Sequence, residues 1–193
     1  MRLNFVAALA ALSSLFISSV KDAAAEPLLS GKAEAEKVFS DRFQLDLINA
    51  LKNKEFPRVD ALIHGGNIDA AATNGETVLW WEANVGDFDA FEYLLKKGAN
   101  PVCQVLNGLN ITEVCAAQTD TRFLLSDLRH GANVNMISSF YRQTPIFAAI
   151  MYRNLKNTEL LLDSGAYCDV SNDMGETPVV FAGHIQASIR RNI

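Results

Sequence analysis

The chain has 193 residues and a formal net charge of −5, with 49% apolar and 20% charged residues. These proportions are typical of a globular protein with enough apolar residues for a packed core, and they exclude an intrinsically disordered chain. The acidic balance also argues against nucleic acid as a partner, because a phosphate backbone requires clustered Lys and Arg.

The N-terminal segment, residues 1–25, differs in pattern from the rest of the chain. Arg2 gives a positive start, residues 5–20 form an apolar run, and Ala23–Ala25 places small residues before Glu26. This order is typical of a secretory signal peptide cleaved after Ala25. An uncleaved anchor is the alternative, but a membrane span needs about 20 apolar residues and this run contains four serines. We therefore expect a periplasmic or secreted protein with no membrane span after cleavage.

Two markers recur along the rest of the chain at a nearly constant period of about 33 residues, the length of a helical-pair repeat. The first is a glycine that recurs at Gly65, Gly98, Gly131 and Gly165. The second is a short turn motif that starts at Gly75, Gly108, Arg142 and Gly175. Apolar residues between the markers have helical spacing, as in residues 88–95, 123–128 and 155–162. The pattern predicts repeated pairs of short helices.

Local signals place the ends of these helices. Thr-Pro at residues 144–145 and 177–178 suits a helix start, since Thr caps free N–H groups and Pro at the first helical position loses no hydrogen bond. The marker glycine after each second helix suits a left-handed C-cap.

On these motifs the chain resembles the ankyrin-repeat family, most clearly at Thr-Pro-Ile-Phe-Ala-Ala (144–149) and Gly-Ala-Asn-Val-Asn (131–135). The resemblance implies an all-α solenoid of about four repeats within a domain at residues 43–193, preceded by a polar leader at 26–42. The implied repeats have a degenerate N-terminal cap and a truncated last member, with approximate boundaries at 43–72, 73–105, 106–139, 140–172 and 173–193.

Several residues depart from the family pattern. Trp80, Glu113, Phe147 and Val180 replace the usual histidine of the first helix. Glu82 stands where a small residue is expected, so the second repeat should pack unusually. We interpret Trp80 as a core residue.

Ankyrin arrays bind proteins through their turn loops and the concave surface of their first helices. The resemblance therefore implies a protein partner, with the chain monomeric when unbound. Aromatic residues and Met are enriched at interface centres, which favours the third repeat as the main contact; the alternative is that the same side chains pack on a neighbouring loop. The partner-binding candidates are Asn74, Glu76, Leu106, Asn107, Leu109, Phe140, Tyr141, Gln143, Met151 and Tyr152.

An export signal combined with this layout resembles the small periplasmic immunity proteins that accompany phospholipase effectors of type VI secretion. This resemblance implies binding to a cognate lipase and blockage of its active-site entrance. Two alternatives remain open, a periplasmic scaffold for an oxidative-stress or envelope enzyme, and an exported effector that binds a host protein.

No motif in the chain points to catalysis or to a cofactor. A nucleophile elbow, a zinc-protease helix and a phosphate-binding glycine loop are missing from the sequence, so we expect neither an enzyme nor a cofactor. His64 and His130 precede marker glycines, where a basic ring complements a helix C-terminus. The odd number of cysteines, Cys103, Cys115 and Cys168, has no zinc spacing; a Cys103–Cys115 bridge remains open.

The C-terminal repeat is the least complete part of the pattern. After residues 177–182 the family continues with a leucine-rich second helix, whereas this sequence ends at Ile193. We therefore expect a truncated or frayed last repeat. Native-state hydrogen exchange should show rapid amide exchange beyond Gly175, and slow exchange there would contradict the expectation.

Overall fold

The computed structural model describes residues 35–102, 108–139 and 141–191. Within these ranges the chain is helical, with no strand, and an isolated bridge joins Ala71 and Thr77. The prediction of an all-α protein is therefore confirmed for the described part. The predicted signal peptide, residues 26–34 of the leader, and Cys103 lie outside it.

Ten helices lie in the described ranges, and none is both long and apolar enough to cross a bilayer. They are α1 (Ala35–Val38), α2 (Arg42–Lys52), α3 (Phe56–Gly65), α4 (Val78–Val85), α5 (Phe88–Lys96), α6 (Ile111–Ala117), α7 (Thr121–Arg129), α8 (Pro145–Met151), α9 (Leu155–Asp163) and α10 (Pro178–Arg191).

The helices are arranged as pairs that pack side by side. A first row is formed by α2, α4, α6, α8 and α10, each of which contacts the next. A second row contains α5, α7 and α9, again in contact in that order, and each first-row helix from α2 to α8 packs on the helix that follows it. The starts of α4, α6, α8 and α10 keep the same period as the sequence markers.

Side-chain caps explain why most of these helices begin where they do. The Thr77 hydroxyl accepts a hydrogen bond from the Trp80 amide at 3.2 Å. At α6, Asn110 and Glu113 form a reciprocal capping box, with each side chain accepting from the other residue's amide at 2.9 and 3.0 Å. Thr144 departs from expectation. It precedes Pro145 at the start of α8 as predicted, but its side chain makes no capping bond.

Left-handed glycines follow three of the second helices. Gly98, Gly131 and Gly165 have φ angles of 90°, 97° and 94°, which confirms the predicted C-caps. The same prediction is wrong at Gly65, where α3 ends and Gly66 has an extended backbone with φ of −136°. The physical reason for glycine there is close packing, since a Cβ at residue 66 would lie 2.3 Å from the Phe43 ring.

Aromatic side chains cross from one helical pair to the next. The Phe123 ring lies between Phe88 and Phe91, with centroid distances of 5.3 and 5.2 Å. Each such buried ring contributes about 1.5–3 kcal/mol of transfer free energy to folding. Trp80 is also buried, which confirms its interpretation as a core residue. The core is therefore continuous along the array.

Both ends of the array have distinctive features. At the N-terminal end, Phe39 follows α1, is buried, and packs edge-on against Trp81 at 5.8 Å, so packed structure begins before residue 43. At the C-terminal end, α10 is the longest of the ten helices, and no second helix follows it within the described residues.

The capping box gives a direct test of this local analysis. Asn110→Ala should destabilise the protein by about 1 kcal/mol, because the Glu113 amide loses its acceptor. Urea unfolding monitored by circular dichroism measures the change. Thr144→Val is the matched control at another N-cap and should change stability much less, since no capping bond is lost; equal losses would contradict the capping assignment.

Candidate functional site

The turn loops that precede the first-row helices differ in length. Loop A (residues 72–76) is closed by the Ala72 amide donating to the Glu76 carbonyl at 2.8 Å, and loop D (172–176) by the equivalent bond from Asn172 at 2.9 Å. Loop C (138–143) is closed by the Ser138 amide donating to the Gln143 carbonyl at 2.8 Å. Loop C therefore has one more residue inside its closing bond than loops A and D, and this residue accounts for the longer step between the starts of α6 and α8.

The backbone of loop C adopts an unfavourable conformation. Tyr141 and Arg142 have φ angles of 53° and 51°, in the left-handed region. Gly75 and Gly175 occupy the position of Arg142 in loops A and D, with φ angles of 83° and 75°. A non-glycine residue held there stores on the order of 1 kcal/mol or more of strain.

Contacts at the base of loop C and with loop D hold this conformation in place. The Asp173 amide donates to the Tyr141 carbonyl at 3.0 Å, and the Arg142 guanidinium lies 3.7 Å from the Asp173 carboxylate. Because exposed ion pairs contribute little, the backbone bond is the more important of the two. Loops C and D are thus joined into one surface.

The polarity of the loop tips changes along the array. Tyr141 in loop C and Met174 in loop D occupy equivalent positions and are 48% and 66% exposed. In loop A the equivalent residue is Asn74, whose side chain accepts a hydrogen bond from the Glu76 amide at 3.1 Å. Ile137, just before loop C, is also exposed. The C-terminal pair of loops therefore presents an apolar tip, which we call the Tyr141–Met174 tip.

A buried carboxyl group lies beneath loop C. Glu113 is almost fully buried, and besides capping α6 it accepts a hydrogen bond from Ser138 at the base of the loop. Burial raises the pKa of Glu113 to about 7, and the bonds from Asn110 and Ser138 offset part of that rise. This residue connects the middle helical pair to the loop.

A second buried carboxyl group lies in α4. Glu82 occupies a position that small residues fill in the other first-row helices, at Cys115, Ala149 and Ala182. Burial, and to a lesser extent the nearby Asp87, raise the pKa of Glu82 to about 8. The sequence predicts that the repeat containing Glu82 packs unusually. The structure shows why, since Glu82 places a carboxyl group in a row of small side chains.

The structure places the sequence-predicted contact residues unequally. Tyr141 and Met151 are exposed, and the half-buried ones are Asn74, Glu76, Leu109 and Tyr152. The prediction for Gln143 is wrong, because this residue was predicted at the exposed surface and is only 5% exposed. Its carbonyl accepts the hydrogen bond that closes loop C. Leu106, Asn107 and Phe140 lie outside the described residues.

The predicted contact residues of the third repeat lie at opposite ends of helix α8. Tyr141 lies before the N-terminus of α8, whereas Met151 and Tyr152 lie at its C-terminus, and the helix between them is about 10 Å long at about 1.5 Å per residue. Met174 and Ile137 were not among the predicted contact residues. Met174 lies one repeat after Tyr141, so aligning the loops residue by residue finds it.

The histidines make local contacts. The His130 Nδ1 atom lies 2.9 Å from the Ser126 carbonyl at the end of α7, and His184 Nδ1 lies 2.5 Å from Glu176 Oε1. Across the part of the chain that is described, no group of three or more His, Cys, Asp or Glu side chains is arranged to hold a metal ion. The side chain of Asn110, in the sequon Asn110-Ile111-Thr112, is buried in its capping box.

Comparisons with known proteins give two distant similarities, and no family model matches the chain. Protein PhlB of Serratia liquefaciens is 28% identical over 115 residues, which cover 60% of this chain and 49% of PhlB. A Danio rerio protein named as a putative palmitoyltransferase, ZDHHC13, is 28% identical over 101 residues, covering 50% of this chain and 15% of that protein. The matched region thus spans about half the length of PhlB.

The strain in loop C makes a testable prediction. Arg142→Gly should stabilise the protein by about 1 kcal/mol, because glycine adopts the left-handed backbone without a Cβ clash. Arg142→Ala is the matched control, since it also removes the contact with Asp173 but keeps the Cβ. Urea unfolding of both variants separates the two effects, and equal stability of the glycine and alanine variants would rule out strain at residue 142.

Proposed function

We propose that this protein is an exported ankyrin-repeat module that binds another protein. Three features support the proposal: the nearly constant spacing of the first-row helix starts, the left-handed glycines after three of the second helices, and the packing of each helical pair on the next. An array of this kind offers its turn loops and first-row helices as an extended binding surface.

The observation that carries the proposal is the conformation of loop C. Backbone strain persists only where the surrounding structure holds it, and it concentrates at functional sites. Here the strain presents the aromatic ring of Tyr141 at the surface next to Met174. Tyr and Met are among the residue types most enriched at protein interfaces, because they bury a large area with little loss of entropy.

The partner we propose is a lipase or phospholipase, blocked as in the immunity proteins that this chain resembles. The Tyr141–Met174 tip suits an apolar recess such as the entrance through which lipid reaches an active site. The turn loops also carry acidic side chains, Glu76 in loop A and Asp173 and Glu176 in loop D, which would meet basic residues at the rim of the partner and favour its approach. Occlusion of this kind requires no chemistry from the bound protein.

Truncation of the tip should weaken binding strongly. Tyr141→Ala is expected to cost about 2 kcal/mol or more, roughly a 30-fold increase in Kd, if Tyr141 is an interface hot spot. Tyr152→Ala tests the other end of α8 in the same way. The measurement is titration calorimetry with the partner purified from periplasmic extract by capture on the mature chain.

A matched control distinguishes the site from general loss of apolar surface. Tyr167→Ala removes an equally large exposed ring that lies outside the proposed contact set, so its Kd should stay unchanged. Unchanged affinity in both Tyr141→Ala and Tyr152→Ala would eliminate the proposed face.

The identity of the captured partner distinguishes inhibition of a lipase from the scaffold function. If the captured partner is a lipase, its rate of lipid hydrolysis should fall in proportion to the amount of this chain added. Inhibition should be complete at one molar equivalent. A catalase or envelope enzyme that remains active in the complex would instead favour the scaffold function, and a lipase that binds without inhibition would contradict occlusion.

A further inference from the structure

The middle helical pair contains a polar pair at two core positions. In the neighbouring pairs these positions hold Leu79 with Leu94, and Ile146 with Leu161, all buried. The equivalent residues in α6 and α7 are Thr112 and Asp127. Asp127 has 0% of its surface exposed and Thr112 has 1%, so neither side chain reaches water.

The polar atoms of this pair have no well-formed hydrogen bond, and the ionised Asp127 carboxyl is stabilised only weakly by the neighbouring Thr112 hydroxyl. Neither carboxylate oxygen of Asp127 nor the Thr112 hydroxyl makes a hydrogen bond of normal geometry anywhere in the described chain. A buried polar group without a well-formed hydrogen bond destabilises the folded state, and a buried charge does so considerably more. Apolar residues at both positions would avoid this cost, as the neighbouring pairs do.

No cation on the surrounding helices compensates Asp127 within the described ranges. Helix α7 packs against α5, α6 and α9. On α5 Glu92 binds Lys96 and Ser126, and on α6 Glu113 is itself a buried acid. The other charged residues of α7 and α9 all lie exposed at the surface: Arg122, Arg129, Lys156, Glu159 and Asp163.

We propose that the Thr112–Asp127 pair is a proton-controlled weak point that lies in the middle of the array. While Asp127 is protonated, α6 and α7 remain packed and the two halves of the array behave as one unit. When Asp127 ionises, this pair opens first, because successive pairs are stabilised only by their nearest neighbours.

The direction of the pH effect follows from the burial of Asp127. Burial raises its pKa from an ordinary value near 4 to about 7, and the neighbouring Thr112 hydroxyl offsets a smaller part. At a pH between these two pKa values, the folded protein therefore holds a proton on Asp127 that the opened state has released. Protection of the α6 and α7 amides from hydrogen exchange is therefore complete below about pH 4. It declines as the pH rises and reaches its minimum above about pH 7.

Hydrogen exchange followed by mass spectrometry tests the proposal on the intact mature chain. After correction for intrinsic exchange, local opening of residues 111–129 should increase roughly 30-fold more between pH 5.5 and 8 in the wild type than in Asp127→Leu. Asp127→Asn, which cannot ionise, should lose the same pH response whether or not it is less stable. This second variant keeps the test decisive if the leucine packs poorly.

Matched controls separate Asp127 from the other buried acids. Glu113→Gln should keep the part of the pH response that belongs to Asp127, and Glu82→Gln should leave exchange in residues 111–129 as in the wild type. The proposal is overturned if Asp127→Leu and Asp127→Asn both retain the wild-type pH response, or if opening of residues 111–129 does not depend on pH in the wild type.

Discussion

Burial of apolar side chains between successive helical pairs is the interaction on which the rest of this structure depends. Phe123 touches rings of the preceding pair, and Phe147 touches Phe181 of the following helix at a centroid distance of 5.4 Å. No helix in the described ranges is long enough to be stable alone in water, so each pair depends on its neighbours. Stability is consequently distributed along the chain rather than concentrated in one central core.

This arrangement allows the loops to vary without affecting the core. Loop C accommodates an extra residue and two left-handed residues, because its base is fixed by Ser138, Gln143 and Glu113. The strain at Tyr141 and Arg142 is offset by packing elsewhere. A rigid array can therefore present a specific tip without adding any element to the fold.

The same arrangement makes the interior sensitive to single substitutions. Glu82 and Asp127 each replace a residue that neighbouring pairs keep small or apolar, and burial raises the pKa of both carboxyl groups. In a globular core such groups would affect the whole molecule. In an array of pairs their effect is local, so different parts of the chain can differ in stability.

Features that depend on a few consecutive residues are predictable from the amino-acid sequence. The helix class, the start of α8 at Pro145 and the left-handed Gly98 follow from backbone chemistry and apolar spacing, and they were predicted correctly. Trp80 was also predicted correctly, since its helical register fixes which side faces the core.

Features that depend on neighbouring repeats become visible only in the folded array. Gln143 was predicted at the surface and is buried, because its burial is set by the path of loop C. Residue 66 is glycine because the Phe43 ring leaves no room for a Cβ. The bond from the Asp173 amide to the Tyr141 carbonyl, and the complete burial of Asp127, likewise depend on residues a whole repeat or a helix away. Backbone preferences act over a few residues, whereas burial and hydrogen-bond pairing are settled by which pairs stack together.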